Sequence, residues 1–416
     1  MNHGFSRREM LATGLAAAGS LWTGCLTKNW VGGRWAEGAD MADRSRQAPC
    51  PPVAIQQCGS YEPKELRKRL DRALELIGGV KDLVGGKTVT MKINVTGGPG
   101  SLGGLPGYRT YQVHPYLVAA MCAALSDAGA RRIVLVESQY SPKRPEEVLH
   151  EGGWDIRAIQ SAGGQKVSFE DTRNRGRWPA YSKLAVPWGG FVFSAFHLNP
   201  RYEKTDVFVS LAKLKDHGSA GVTMAVKNLF GIAPTALYGN DAPNENTLSN
   251  RGDILHNGKR TVPAGVPPEN DHRLPADWRR RVPRITADLL GARPVDLAVV
   301  DGIECNRGGE GPWMTSVEPI KPGLLLAGRN AVTTDAIATA AMGYNPQAAH
   351  GQFPFPGDNH LLLLSQMGVG GIDPARIEVR GVPLAKALYP FNPKRIPLPL
   401  PTTWYCHPPH DPVAHA

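Results

Sequence analysis

Three side chains able to hold or move charge recur at every second position of one short run: Lys213, Lys215 and His217. If the chain stays extended there, alternation sends all three to the same side. Lys227 and Asn228 follow soon after, with Thr223 and Lys227 four apart and so on one face of a helix. Ammonium groups in such an array neutralise negative charge developing on a bound group. The imidazole of His217 can transfer a proton near neutral pH. Each residue also has a plain structural reading, as a solvated loop lysine, a lysine favoured by a helix C-terminus, or a lone packed histidine. Four such groups around a single turn are harder to explain by solubility, and the set predicts a catalytic group of Lys213, Lys215 and His217 gripping an anion.

The elements that would position them are legible nearby. Val207, Phe208, Val209 and Leu211 read as a buried strand, and Ala220 to Phe230 recur at helical spacing before Gly231. Further strands are predicted over Val53–Gln57, Thr88–Ile93, Arg132–Val136, Val295–Val300 and Gly323–Ala327. Helices are predicted over Glu62–Ile77, Pro115–Ala128 and Val332–Met342. Strand and helix alternating through short turns predicts an α/β fold, a mostly parallel sheet with helices on both faces. The carboxyl ends of parallel strands share one edge, where open sheets bind ligands. Lys92 and Asn94 close one strand, Glu137 a second, Lys213 to His217 a third, and Asp301 a fourth. Lys92, Asn94, Glu137, Lys227 and Asn228 are therefore expected to bind the ligand.

Asp301 and Glu310 bracket glycines that let the backbone approach a ligand. Either residue would serve as a general base, or both would hold a hard divalent cation such as Mg²⁺. Asp335 fits better as a carboxylate complementing a helix N-terminus. Gly98-Pro99-Gly100-Ser101-Leu102-Gly103 has dinucleotide-binding spacing, but Pro99 intrudes and no helix follows until Pro115. So many glycines suit a mobile loop over the site.

Lys213-Leu214-Lys215-Asp216-His217 followed by Val226-Lys227-Asn228-Leu229-Phe230-Gly231 resembles the signature of the domain-of-unknown-function family 362. Met91 to Val95, the helix ending at Gly129, the strand closing in Glu137-Ser138, Val299 to Ile303, Gly308 to Pro312 and Asp335 are similar to that family in the same order. The resemblance spans about Val53 to Gly381. It implies no defined activity. Some relatives carry ferredoxin-like cysteine clusters, from which this chain departs, so no iron–sulfur cluster is implied.

The N-terminal segment 1–26 resembles a twin-arginine export signal, with Ser6-Arg7-Arg8-Glu9-Met10-Leu11 before a short apolar run. Thr23-Gly24-Cys25 resembles the end of a lipobox, with Trp22 where leucine is usual, making Cys25 a lipidation candidate. The expected place is the periplasm, soluble or tethered to the outer side of the inner membrane. Residues 27–52 read as a linker and 53–381 as the α/β domain. Within it, 238–281 is a long polar insertion suited to a lid. His256 and His272 in it read as surface histidines. Residues 382–416 read as a proline-rich extended arm, and Cys406, His407, His410 and His415 match no standard metal spacing.

None of the six cysteines forms a Cys-x-x-Cys pair, and Cys50 with Cys58 is the nearest candidate for a bridge. A formal charge of +10 with pI near 9.3 favours acidic partners. The basic residues are scattered without an aromatic-interleaved stripe, which argues against nucleic acid. Two functions fit: an exported enzyme acting on a carboxylated or phosphorylated small molecule, and a tethered protein that captures such an anion without chemistry.

Overall fold

The computed structural model describes residues 43–138, 141–175, 178–240, 244–245, 250–270 and 276–392. All lie in one of the two compact units into which the chain divides, Met41–Ala416. Their frame is a ten-stranded sheet: β1 (Val53–Gln57), β2 (Thr88–Ile93), β3 (Arg132–Glu137), β4 (Val167–Asp171), β5 (Val207–His217), β6 (Gly221–Val222), β7 (Leu297–Arg307), β8 (Glu318–Ile320), β9 (Leu324–Gly328) and β10 (Val379–Gly381). The order across it is β10-β1-β9-β7-β5-β2-β3-β4, with β6 hairpinned onto β5 and β8 onto β7. Along the main path only β9 runs against its neighbours.

Apolar side chains cover both faces, as parallel sheets require. Val207, Val209 and Leu211 of β5 face helices α1 (Pro63–Leu76), α2 (Pro115–Asp127) and α4 (Ile156–Ala162). Helix α3 (Pro145–Glu151) lies between α2 and α4 in the chain. Phe208, Ala212 and Leu214 face the other way, toward α5 (Met224–Lys227), α6 (Trp278–Ala292), α7 (Ala331–Ala341) and α8 (His360–Gln366). The α/β class, the mostly parallel sheet and the two helical layers agree with the sequence expectation.

Four details differ from it. The helix expected from Ala220 is a single turn, α5, followed by a 3-10 turn at Asn228–Ile232. The strand before it runs on to His217, because β7 and β6 supply backbone partners beyond the sheet edge. The linker expected over 27–52 is part of the body from residue 43: Ala48 is buried, and the Arg44 amide donates to the Gln366 carbonyl (2.9 Å). Phe391, in the segment expected to be an extended arm, is buried with its amide on the Met342 carbonyl.

The insertion is not a free excursion either. Arg281 reaches back to the Ile254 carbonyl and Glu269, and Glu245 is buried against Tyr181 and Thr235. Cys50 and Cys58 are both free thiols, so the candidate bridge is not formed. Cys25, the export segment 1–26, His272 and the Cys406 to His415 group lie outside the described residues.

Candidate functional site

Strand β2 connects onward to β3 on one side, while β5 connects to β7 on the other. The boundary between β2 and β5 is thus the sheet's topological switch point. At this edge the structure gathers Lys92, Asn94, Glu137, Lys213, Lys215, His217, Lys227, Asn228, Asp301 and Glu310. It sorts them into groups with different electrostatic standing.

Two lysines are paired. Lys213 is fully buried with Nζ 3.0 Å from Asp301 Oδ2, itself fully buried. Asp301 also accepts from the Tyr61 hydroxyl (2.7 Å), the His114 amide (3.0 Å) and the Ile303 amide. Both oxygens of Asp301 are therefore engaged. Lys92 is likewise buried, 2.6 Å from Glu137 Oε1, and Glu137 accepts from the amides of Val95 and Ser138. Burial lowers the Lys92 pKa, against the pull of Glu137. These two pairs join neighbouring strand ends and neutralise one another, so Lys92, Lys213, Asp301 and Glu137 hold the edge together.

Two lysines are not paired. Lys215 Nζ donates to the backbone carbonyls of Tyr111 (2.7 Å) and Glu310 (3.0 Å), and no carboxylate lies within ion-pair distance among the described residues. Lys227 is 7% exposed and its Nζ lies 3.8 Å from the centre of the Phe230 ring. Burial drives both ammonium pKa values from 10.5 down to about 7, Glu310 opposing the shift in each case. A buried lysine without a counter-charge is costly, and an anionic ligand would supply that charge.

Imidazoles complete the cluster. His217 Nδ1 accepts the Ser219 amide (3.2 Å), so in the neutral ring Nε2 carries the proton and acts as a donor. Burial, then the charges of Lys227 and Lys215, hold its pKa well below the usual value, with His256 and His360 acting in the same direction. His256 has the opposite tautomer. Its Nδ1 lies 2.8 Å from the Arg251 carbonyl, which can only accept, leaving Nε2 as a proton acceptor. Its ring packs edge-on to Phe230, and burial lowers its pKa to about 4. The expectation of a surface histidine is thus corrected: the insertion folds back over α5 and delivers His256 to the site. His360 is fully buried, and neither ring nitrogen has a hydrogen-bond partner among the described residues.

Glu310 accepts from the amide of Gly218 (2.8 Å) and from Trp313 Nε1 (3.1 Å), with His217 Nδ1 at 3.9 Å. The expected cation site at Asp301 and Glu310 finds no support in this geometry. Asp301 is enclosed by an ammonium, a phenol and two amides. Among the described residues no three histidine, cysteine or carboxylate side chains are grouped to hold a metal. Asn228 is fixed by Lys92 and Ser210, and its Oδ1 accepts from Asn94 Nδ2 (3.0 Å). Asn94 Oδ1 is buried with no hydrogen-bond partner among the described residues.

Sequence reasoning missed Tyr61, His114, His256 and His360. Tyr61 and His114 stack at 3.6 Å. His114 caps α2 immediately before Pro115, a pattern that marks a helix start. Asp335 is a fully buried carboxylate on α7 that accepts the amides of Ala225 (2.9 Å) and Val226 (2.7 Å). It therefore caps α5, the neighbouring turn that carries Lys227, rather than its own helix. The glycine-rich loop packs on the site as well: a Cβ at Gly97 would lie 2.6 Å from the Trp313 ring, and one at Gly100 2.3 Å from the Tyr111 hydroxyl.

The chain is 24% identical over 335 residues to a thylakoid-associated protein of Synechocystis, covering 75% of this chain and 85% of that one. Among solved structures it is similar to a protein from Thermotoga maritima (TM-score 0.31, 11% identity, 64% of this chain). It is also similar to the lactate racemase apoprotein from Thermoanaerobacterium thermosaccharolyticum (TM-score 0.35, 10% identity, 71% of this chain). The chain spans little more than half the length of these two structures, 55% and 58%. The model of the family described as domain of unknown function, DUF362, matches residues 89–340. This stretch holds both ion pairs, both unpaired lysines, His217 and His256, and the chain belongs to the DUF362 family.

Proposed function

We propose that the protein is an exported enzyme acting on a carboxylated or phosphorylated small molecule held at the edge between β2 and β5. One observation carries the reading: Lys215 and Lys227 are buried at the switch point with no carboxylate partner among the described residues, while Lys92 and Lys213 beside them are paired. The bound anion supplies the missing counter-charge. His217 donates from Nε2 to an oxygen of the ligand, and His256 accepts a proton at Nε2. Lys215 and Lys227 stabilise negative charge that develops as the proton leaves. Lys213 and Asp301 fix the strand ends from which these groups project.

Export through the twin-arginine route and a lipid tether at Cys25 belong to the same proposal. Arg7-Arg8 and Thr23-Gly24-Cys25 support it. The thylakoid association of the Synechocystis relative favours a place at a membrane. It also favours a second reading, a tethered protein that captures the same anion without chemistry.

The test is a thermal-shift screen of carboxylate and phosphate metabolites against wild type, Lys215→Met, Lys227→Met and His256→Gln. The enzyme reading expects a ligand that stabilises wild type, loses its effect in both lysine variants, and is turned over by wild type but not by His256→Gln. Binding without turnover favours capture. Equal stabilisation of wild type and both lysine variants removes the anion site from this edge.

A further inference from the structure

Arg251 reaches the site from the long insertion and has no part in the chemistry proposed above. Its Nε donates to the Ala233 carbonyl (2.6 Å) and its Nη2 to the Gly231 carbonyl (3.2 Å), so the guanidinium lies against the turn that follows Lys227. Gly231 adjoins the Lys92–Glu137 pair: a Cβ there would stand 3.4 Å from Lys92 Nζ and 3.7 Å from Glu137 Oε1. The Arg251 carbonyl also fixes His256 through Nδ1 (2.8 Å), and the His256 ring packs on Phe230, over which Lys227 Nζ sits. Contacts around one turn thus join Arg251 to Lys92, Lys227 and His256. Its charge acts on all three, lowering the pKa of each.

This guanidinium has no carboxylate within ion-pair distance among the described residues. Burial lowers its pKa, and the two carboxylates that oppose the shift are held by other groups. Glu245 accepts from Tyr181, Thr235 and the Ala236 amide, while Glu137 is bonded to Lys92 and two amides. An arginine stays protonated across the range in which Lys215 and Lys227 titrate. Pinning the two carbonyls occupies the edge formed by Nε and Nη2. The end-on edge, formed by Nη1 and Nη2, has no partner among the described residues, and such a fork matches the paired oxygens of a carboxylate or a phosphate. Holding the turn needs the first edge alone.

We infer that Arg251 is a further anion-binding residue of this site, its guanidinium taking a second negative charge beside Lys215 and Lys227, so that the ligand is a dianion: a phosphoryl group or a molecule with two carboxylates. This inference rests on the anion site proposed above. A monoanion such as acetate engages the lysines and leaves the Arg251 fork unused. The insertion then carries both the proton acceptor His256 and the cation that selects the charge of the ligand.

Calorimetric titration at about pH 7.5, where malonate and inorganic phosphate are mostly dianionic and acetate carries one charge, separates the two claims in wild type, Arg251→Gln, Arg251→Lys and Lys227→Met. At least one dianion is expected to bind wild type about tenfold or more tighter than acetate, through a charge-assisted contact that acetate does not make. That ratio falls to about threefold or less in Arg251→Gln and is intermediate in Arg251→Lys, which keeps the charge without the fork. The dianion with the larger ratio tells phosphoryl from dicarboxylate. A wild-type ratio near one for both, or a ratio unchanged in both Arg251 variants, leaves Arg251 as a pin for the turn and overturns the inference, while Lys227-dependent acetate binding keeps the anion site standing. Where neither Arg251 variant folds, phenylglyoxal labelling of wild type decides: a dianion, but not acetate, shields Arg251, and equal labelling with all three overturns the inference. Binding of all three ligands unaffected by Lys227→Met, or no binding of any, overturns the anion site and this inference with it.

Discussion

At the scale of single residues, the four lysines of this site divide by partner, and the division predicts opposite mutational outcomes. Lys213→Ala leaves the fully buried Asp301 without its ammonium, which is expected to cost about 3–5 kcal/mol in denaturant unfolding. Lys227→Met removes a buried charge that has no carboxylate partner among the described residues, and should stabilise the ligand-free protein by about 1–3 kcal/mol at pH 6. The sign follows from proton linkage. Below pH 7 both folded and unfolded chains bind the lysine proton, and the folded one bears the full cost of burying it. Between about 7 and 10.5 the unfolded chain binds a proton that the folded chain lacks, so stability rises with pH. The advantage of Lys227→Met over wild type should therefore shrink steadily across that window, and a difference constant from pH 6 to 10 would contradict the depressed pKa. The spacing of Lys213, Lys215 and His217 was readable in the sequence because period-two alternation is a property of any extended chain. Which lysine is paired was not, because the partners Asp301 and Glu137 come from strands distant in sequence.

At the scale of elements, the site depends on one turn of helix. Helix α5 is too short to hold Lys227 by its own hydrogen bonds, and Asp335 on α7 ties down the amides of Ala225 and Val226. Asp335→Ala leaves both donors buried and unpaired, at about 1–3 kcal/mol each. It should lower the unfolding midpoint and also weaken anion binding through displacement of Lys227. A loss of stability with unchanged affinity would show that α5 is positioned by packing alone. The aspartate was legible as a helix-associated carboxylate, but its own helix is capped by Asn330 instead. Strands were the more readable elements, since runs such as Val207–Leu211 and Val295–Val300 are apolar on both faces. The stretch 220–230 misled because its apolar spacing is as compatible with a hairpin and two tight turns as with a continuous helix. His256 went unrecognised because a polar insertion carries no periodicity to show that it folds back against Phe230.

At the scale of the whole molecule, the fold brings the motifs shared with the DUF362 family to one sheet edge although they are spread over residues 89–340. A crossover sheet does this for any sequence that alternates strand and helix, so the α/β class and the converging strand ends were foreseeable. If the protein is exported as proposed, Arg7→Lys with Arg8→Lys should retain it in the cytoplasm, and Cys25→Ser should release it from the membrane fraction. Membrane recovery unchanged by Cys25→Ser would rule out the lipid tether without touching the site. The central claim, that Lys215 and Lys227 take the anionic group, is tested most directly by the pH dependence of acetate affinity between pH 6 and 9. The carboxyl of this ligand does not titrate in that range. Affinity should fall about tenfold or more as pH rises through the lysine pKa near 7, and the fall should be reduced in Lys227→Met. Affinity that is flat or rising over the same range, in wild type, would contradict the account.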